Sequence, residues 1–257
     1  MSFVSYKAEG PVATITLCRP EKLNALTPDM LGMIESFIRR AENQHGLRAV
    51  ILGAQGRAFC VGADIEVWSA LSPAAFRTQW IDAGHRAMDT IARCRLPVIA
   101  ALHGAVMGGG LELALAADLR VAERGTRLAL PETSIGTVPG WGGTHRLPDL
   151  IGPARAKQMI FSASQITAEQ AETWGLVNVQ CAPGTAGETA CTIAADVVRQ
   201  APVSVQVAKR LIDGAAGDNL PATLEMLGGM ATQATHDMQE GIAAFRAKRR
   251  PDFKGDQ

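Results

Sequence analysis

The apolar positions of the chain switch repeatedly between a two-residue and a helical period. Val12-Ala13-Thr14-Ile15-Thr16-Leu17 alternates and is β-branched, which predicts a strand ending before Arg19-Pro20. Thr27 then offers a helix N-cap with Pro28 at the first helical position, and Met30, Leu31, Met33, Ile34, Phe37 and Ile38 follow at helical spacing. Residues 48–53 predict a second strand, 73–94 a helical region, 96–101 a buried strand and 119–122 another. Helices are expected over 154–161 and 167–174, the second with Thr167 as its N-cap. Beyond Pro183-Gly184 the pattern is almost wholly helical, with breaks at Pro202 and over 214–221 and a last helix over about 235–249. Strands therefore alternate with helices up to about residue 200, and a helical tail follows, so the chain reads as an α/β core over 1–200 and a helical lobe over 201–257 that could pack on a neighbour.

One stretch departs from simple patterning. In 103–115 three glycines, Gly108, Gly109 and Gly110, run into the apolar sequence Leu111-Glu112-Leu113-Ala114-Leu115, which carries a single carboxylate. Strand, glycine turn and helix together aim backbone N–H groups and the positive helix end at one point, which suits an anion or a developing oxyanion. A carboxylate buried there is costly unless it is paired or used, so Glu112 is either a charge on a narrow solvent face or a working group at that point. Residues 131–143 hold six Gly or Pro in thirteen, the mark of a stiff, structured loop. Glu132 opens that loop twenty residues after Glu112, close enough along the chain for both to reach one cavity and divide acid and base work. Trp141, between Gly140 and Gly142, is either a surface-loop anchor or a pocket wall.

Composition narrows the classes. The 257 residues are 47% hydrophobic and 19% charged with a formal net charge of zero, enough for one sizeable core and without the basic bias of a nucleic-acid or membrane-surface protein. Arg246, Lys248, Arg249, Arg250 and Lys254 make a basic tail, read first as a solvated face. Five cysteines at 18, 60, 94, 181 and 191 form no C-x-x-C pair and are odd in number, which predicts reduced thiols, mostly small core residues. The N-terminus has no signal or transit pattern and no run is long and apolar enough to span a bilayer, so a cytoplasmic protein is expected. The segment 53–63 is glycine-rich without the phosphate-loop order, no G-x-S-x-G elbow is present, and no strand leads into G-x-G-x-x-G. The five histidines are scattered, His103 reads as a packed strand-end residue, and no metal site is expected.

Taken together, several blocks resemble the enoyl-CoA hydratase/isomerase family, also called the crotonase family. They are Arg19-Pro20 with Leu23-Asn24-Ala25-Leu26, the run from Ala58 to Ile65, and Gly108 to Ala114, followed by Leu130-Pro131-Glu132, Gly136 to Gly140, Gly142-Gly143-Thr144, Ala171 to Val177 and Gly241 to Arg249. The resemblance spans the chain and implies a spiral of ββα units with a C-terminal helical region, assembled as a homotrimer or dimer of trimers. It implies an acyl-CoA substrate, coenzyme A being part of the substrate rather than a cofactor. By carry-over, the N–H groups of Ala63 and Gly109 form an oxyanion hole, and Glu112 and Glu132 are the catalytic pair that adds water to a trans-2-enoyl-CoA. Lys22 and Leu23, then Ala63, Asp64 and Ile65, match coenzyme A-binding segments, and Phe245 and Lys248 match residues that reach coenzyme A from an adjacent subunit. Glu66 stands where relatives often carry lysine. Trp141 stands where short-chain hydratases have a small residue, so it and Gly140 are expected in the acyl pocket. The alternatives are an isomerase or specialised dehydratase of the same family, or a non-catalytic or RNA-binding relative, against which the zero net charge and the intact glutamate pair both weigh.

Overall fold

A computed structural model describes residues 2–217 and 220–255. The chain divides into two compact units, Met1–Pro202 and Val203–Gln257. In the first, a six-stranded sheet runs in the order β1-β2-β3-β4-β6-β9. β1 (Val4–Glu9) and β2 (Val12–Leu17) form a hairpin through Gly10, whose φ of 55° suits a residue without a Cβ. β3 (Ala49–Ala54), β4 (Val98–Leu102), β6 (Leu119–Glu123) and β9 (Val179–Cys181) are added in parallel.

Parallel strands need crossover segments, and these supply the helices that cover the sheet. α1 (Pro28–Asn43) joins β2 to β3; its N-cap Thr27 accepts from the Met30 N–H at 3.3 Å, and Met30, Leu31, Ile34 and Ile38 are fully buried. Between β3 and β4 come two short helices, α2 (Ile65–Trp68) and α3 (Pro73–Ala75), a π-helical stretch over Phe76–Ile81, and α4 (Asp82–Ala92). The single helical region expected over 73–94 is thus interrupted by an under-wound, wider turn in which Trp80 is buried. Alternation along the central strands sorts two cores: Val50, Leu52, Val98, Ala100 and Leu102 join the cluster holding α1 and α4, while Ala49, Ile51, Ile99 and Ala101 pack with Ala186, Ala190 and Ala194 of α9 (Ala186–Val198).

β5 (Ala105–Met107), β7 (Arg127–Ala129) and β8 (Ile166–Thr167) form a smaller, three-stranded sheet. β5 corrects the expectation that the strand at 96–101 feeds directly into the glycine turn: three extra residues pair before Gly108 reverses the chain. α5 (Gly109–Leu115) follows and is buried along its whole length. Its C-terminal carbonyls are met by Arg120, whose buried guanidinium donates to the oxygens of Ala114, Ala117 and Leu176. Further on, α6 (Gly143–Ile151) begins inside what reads from sequence as loop, and α7 (Pro153–Ser162) and α8 (Ala168–Thr173) match expectation, Thr167 accepting from the Gln170 N–H. The strands short of four residues escaped the sequence reading, as did β1.

The second unit comprises α10 (Pro202–Ala215), α11 (Leu220–Gln233) and α12 (His236–Arg246), with Thr235 capping the last. The break expected over 214–221 falls between α10 and α11, residues 218 and 219 lying outside the described residues. In the basic tail Arg249 pairs with Glu240 and Lys254 with Asp252. Of the five cysteines, Cys60 and Cys94 are buried, whereas Cys18 and Cys181 are half-buried and Cys191 is exposed, so the expectation that most are core residues is corrected. No helix among the described residues is long and apolar enough to cross a membrane.

Candidate active site

Two glycines in facing segments set the geometry. Gly62 has φ 101°, and a Cβ there would lie 2.9 Å from the Met107 carbonyl oxygen and 3.3 Å from the Gly109 nitrogen, so only glycine lets the segments approach. The approach is fixed by Leu26, which donates to the Gly62 oxygen and accepts from the Asp64 N–H, and by Met107, which donates to the Cys60 oxygen. Those bonds engage the residues on either side of Ala63 and leave its own N–H without a carbonyl partner among the described residues. Gly109 is the first residue of α5, where no carbonyl lies one turn back, and its N–H is likewise unengaged. Both N–H groups line one cavity of about 330 Å³, with the helix N-terminus behind one of them.

The supporting frame is polar and buried. Asn24, in the left-handed region at φ 58°, donates to the oxygens of Gln55 and Ala58 and accepts from the Arg19 N–H. Arg19 reaches Asp64 Oδ2 at 2.6 Å and the Ala25 oxygen at 2.9 Å. Burial opposes ionisation of Asp64, but the Arg19 guanidinium outweighs it and holds the carboxyl below its ordinary value. Asp64→Asn keeps the shape and removes the charge; it is expected to lower stability by about 1–2 kcal/mol, a fall of about 2–8 °C in the thermal midpoint by circular dichroism. An unchanged midpoint would show that this pair does not brace the Ala63 segment.

Glu112 lies on α5 one turn after Gly109 and is 2% exposed, which removes the solvent-face alternative. Its Oε1 accepts from the N–H groups of Trp141 at 2.7 Å and Gly143 at 2.9 Å. Burial raises its pKa, against the pull of the Gly143, Trp141 and Gly140 N–H groups and of His85. Glu132 opens a 3₁₀ turn after Pro131. Burial, opposed by its own N–H and reinforced by the charge of Glu112, pushes the Glu132 carboxyl up to about 7. Its Oε2 is buried with no hydrogen-bond partner, and its Oε1 lies 3.1 Å from where a Cβ on Gly108 would sit. Both carboxylates line the same cavity as Ala63 and Gly109.

Ile65, Gly140 and Trp141 of the expected site also line it, and Trp141, 2% exposed, is a wall rather than a surface anchor. Arg146 donates to the Trp141 oxygen and pairs with Asp89 at 2.8 Å, tying the loop down. Lys22, Leu23 and Asp64 lie outside the lining. The Lys22 ammonium pairs with Glu66 at 3.1 Å in solvent, and Leu23 is left-handed at φ 51°. Phe245 and Lys248 belong to the second unit, exposed at the end of α12. The sequence reading missed Trp68, Phe76 and Trp80 as cavity walls, although three of the four tryptophans meet there with Trp141 counted among them. The buried thiol of Cys60, pushed up to about 12 by burial, donates to the Asn24 oxygen and acts as a spacer. His103 is half-buried with a ring nitrogen 3.1 Å from the Gly56 oxygen, the packed residue expected.

Known proteins share this arrangement of sequence and fold. The profile of the enoyl-CoA hydratase/isomerase family matches residues 7–256. The chain is 36% identical to a short-chain-enoyl-CoA hydratase of Clostridium acetobutylicum, over 96% of this chain and 95% of that one. It is 32% identical to a crotonyl-CoA hydratase of Syntrophomonas wolfei, over 95% of each. The crystal structure of an enoyl-CoA hydratase from Bacillus anthracis superposes with a TM-score of 0.82 at 33% identity, covering 99% of this chain and 100% of that one. With the profile spanning nearly the whole sequence and the fold matching end to end, the chain belongs to the enoyl-CoA hydratase/isomerase family.

Proposed function

We propose that the protein is an enoyl-CoA hydratase, adding water reversibly across the double bond of a trans-2-enoyl-CoA thioester. The observation that carries this is the unequal treatment of two carboxyls in one cavity beside two unengaged N–H groups. Glu112 receives N–H donors, which favour the carboxylate; Glu132 has an orphaned oxygen and the Glu112 charge nearby, which favour the acid. Burial raises both carboxyls, and the N–H donors given to one and withheld from the other divide a chemically identical pair into a base and an acid.

In the proposed reaction the thioester oxygen accepts from the N–H groups of Ala63 and Gly109. As water adds to the β carbon, Glu112 takes its proton and the electrons of the double bond move toward that oxygen, where the two donors stabilise the enolate charge. Glu132 then gives its proton to the α carbon, and dehydration reverses both roles. The chemistry uses only this chain's groups, with coenzyme A entering as part of the substrate. Because the Asp64 carboxylate is committed to Arg19, contact with coenzyme A at 63–65 is assigned to the backbone and to Ile65. Lys22 would exchange Glu66 for a phosphate. Phe245 and Lys248 are assigned to the same ligand from a neighbouring subunit of a trimer or dimer of trimers.

The test is loss of the enoyl absorbance with crotonyl-CoA and longer 2-enoyl-CoAs. No loss across that panel would overturn the reading. In the hydration direction the acid must be protonated in free enzyme, so kcat/KM is expected to fall above about pH 7, approaching tenfold per pH unit, as the Glu132 proton is lost. A profile flat to pH 9 would remove Glu132 as the acid.

A further inference from the structure

The indole of Trp141 occupies a slot that two glycines leave open. A Cβ on Gly84 of α4 would lie 2.0 Å from its Nε1, and a Cβ on Gly109 of α5 would lie 2.4 Å from its Cζ3. The ring therefore spans the space between these two helices, one edge against each backbone. Trp80 packs on it with centroids 4.8 Å apart and planes at 49°, and Gly140 leaves room for Ile81, whose Cδ1 lies 3.0 Å from the position of a Cβ. The Trp141 Nε1 is buried without a hydrogen-bond partner, so shape alone seats the ring. Its main chain is held at both ends, the N–H on Glu112 Oε1 and the carbonyl on Arg146. With the main chain held, the ring can leave the slot only by rotating about its own side-chain bonds, past the Trp80 that packs on it.

We propose that Trp141 and Trp80, seated against Gly84, form a rigid stop that limits the acyl group to short chains, with Gly84 a specificity-determining residue. This rests on the acyl-CoA reading of the cavity. A chain passing the carboxylates meets the indole immediately, since the ring touches Gly109 and the main-chain N–H of Trp141 is on Glu112. Removing the ring opens the slot between α4 and α5, and an added alanine methyl at 84 drives the ring further into the cavity.

The experiment measures binding of saturated butanoyl-, octanoyl- and dodecanoyl-CoA by calorimetry to wild type, Trp141→Ala, Gly84→Ala and the double variant. Wild type is expected to bind octanoyl-CoA at least ~10-fold more weakly than butanoyl-CoA. Trp141→Ala should reverse that order by ~10-fold or more, since each newly buried methylene is worth roughly fourfold. Gly84→Ala should weaken butanoyl-CoA by ~10-fold in the presence of Trp141 and have little effect once Trp141 is alanine, a coupling that a merely structural role would not give. Trp141→Leu stands in if the alanine variant does not fold. Equal binding of dodecanoyl- and butanoyl-CoA by wild type, or an unchanged order without the indole, would overturn the stop. The ligands are not turned over, so failure to hydrate enoyl-CoA with the length order intact overturns the hydratase reading alone.

Discussion

Gly109→Ala is expected to lower kcat/KM for enoyl-CoA hydration by about 100- to 1000-fold, the usual loss when one oxyanion donor is misplaced. The added Cβ would sit 2.4 Å from Trp141 Cζ3 and 2.9 Å from Cε3, closer than real contacts allow. Either the indole is pushed out of its slot and into the cavity, or the start of α5 moves, turning the Gly109 N–H away from the substrate oxygen. Both routes damage the reaction more than the fold, because α5 is anchored at its other end by Arg120. Steady-state kinetics with circular dichroism separates the two effects, and Gly109→Ala combined with Trp141→Ala should recover part of the loss by clearing the clash. Turnover within threefold of wild type would mean that the N–H of Gly109 does not stabilise the transition state.

Glu132→Gln should reduce kcat by about 100-fold or more while binding of a saturated acyl-CoA stays within a few-fold, the pattern for loss of a proton donor rather than of substrate contacts. Glutamine preserves the volume of the side chain. It also replaces a carboxyl whose ionisation burial and the Glu112 charge oppose, so the folded protein should tolerate it. The fall in rate above pH 7 should vanish with the residue that titrates there. Unchanged kcat in this variant would take Glu132 out of the mechanism.

Much of this could be read from the sequence where one physical rule dominates. The alternation of Val12 to Leu17, the Thr27-Pro28 cap and the N-cap at Thr167 are local signals, and the structure places each where the rule puts it. The three-residue strands β5 and β7 are too short to show a period, and their pairing, such as Val106 with Leu128, joins residues far apart in sequence. At the site, Gly109 and Glu112 could be found because glycine and charge are conspicuous in an apolar run. The burial of Glu132, which separates it from an ordinary loop glutamate, depends on walls from several segments. Gly84 gave no sign of its importance: inside a helical pattern it reads as a small residue, and only the indole against it reveals why a methyl would not fit.

The two unengaged N–H groups of the cavity lining belong to the main chain, at Ala63 and Gly109, in segments held by turns and strand contacts rather than by side chains. The part of the site that would bear negative charge is therefore encoded in conformation, while the proton-handling part is encoded in two replaceable side chains. No substitution other than to proline deletes a peptide N–H, whereas a single codon change removes a carboxylate. On the proposed reading, changes at positions 112 and 132 would alter the chemistry while the hold on a thioester oxygen stayed in place, so the two would diverge independently.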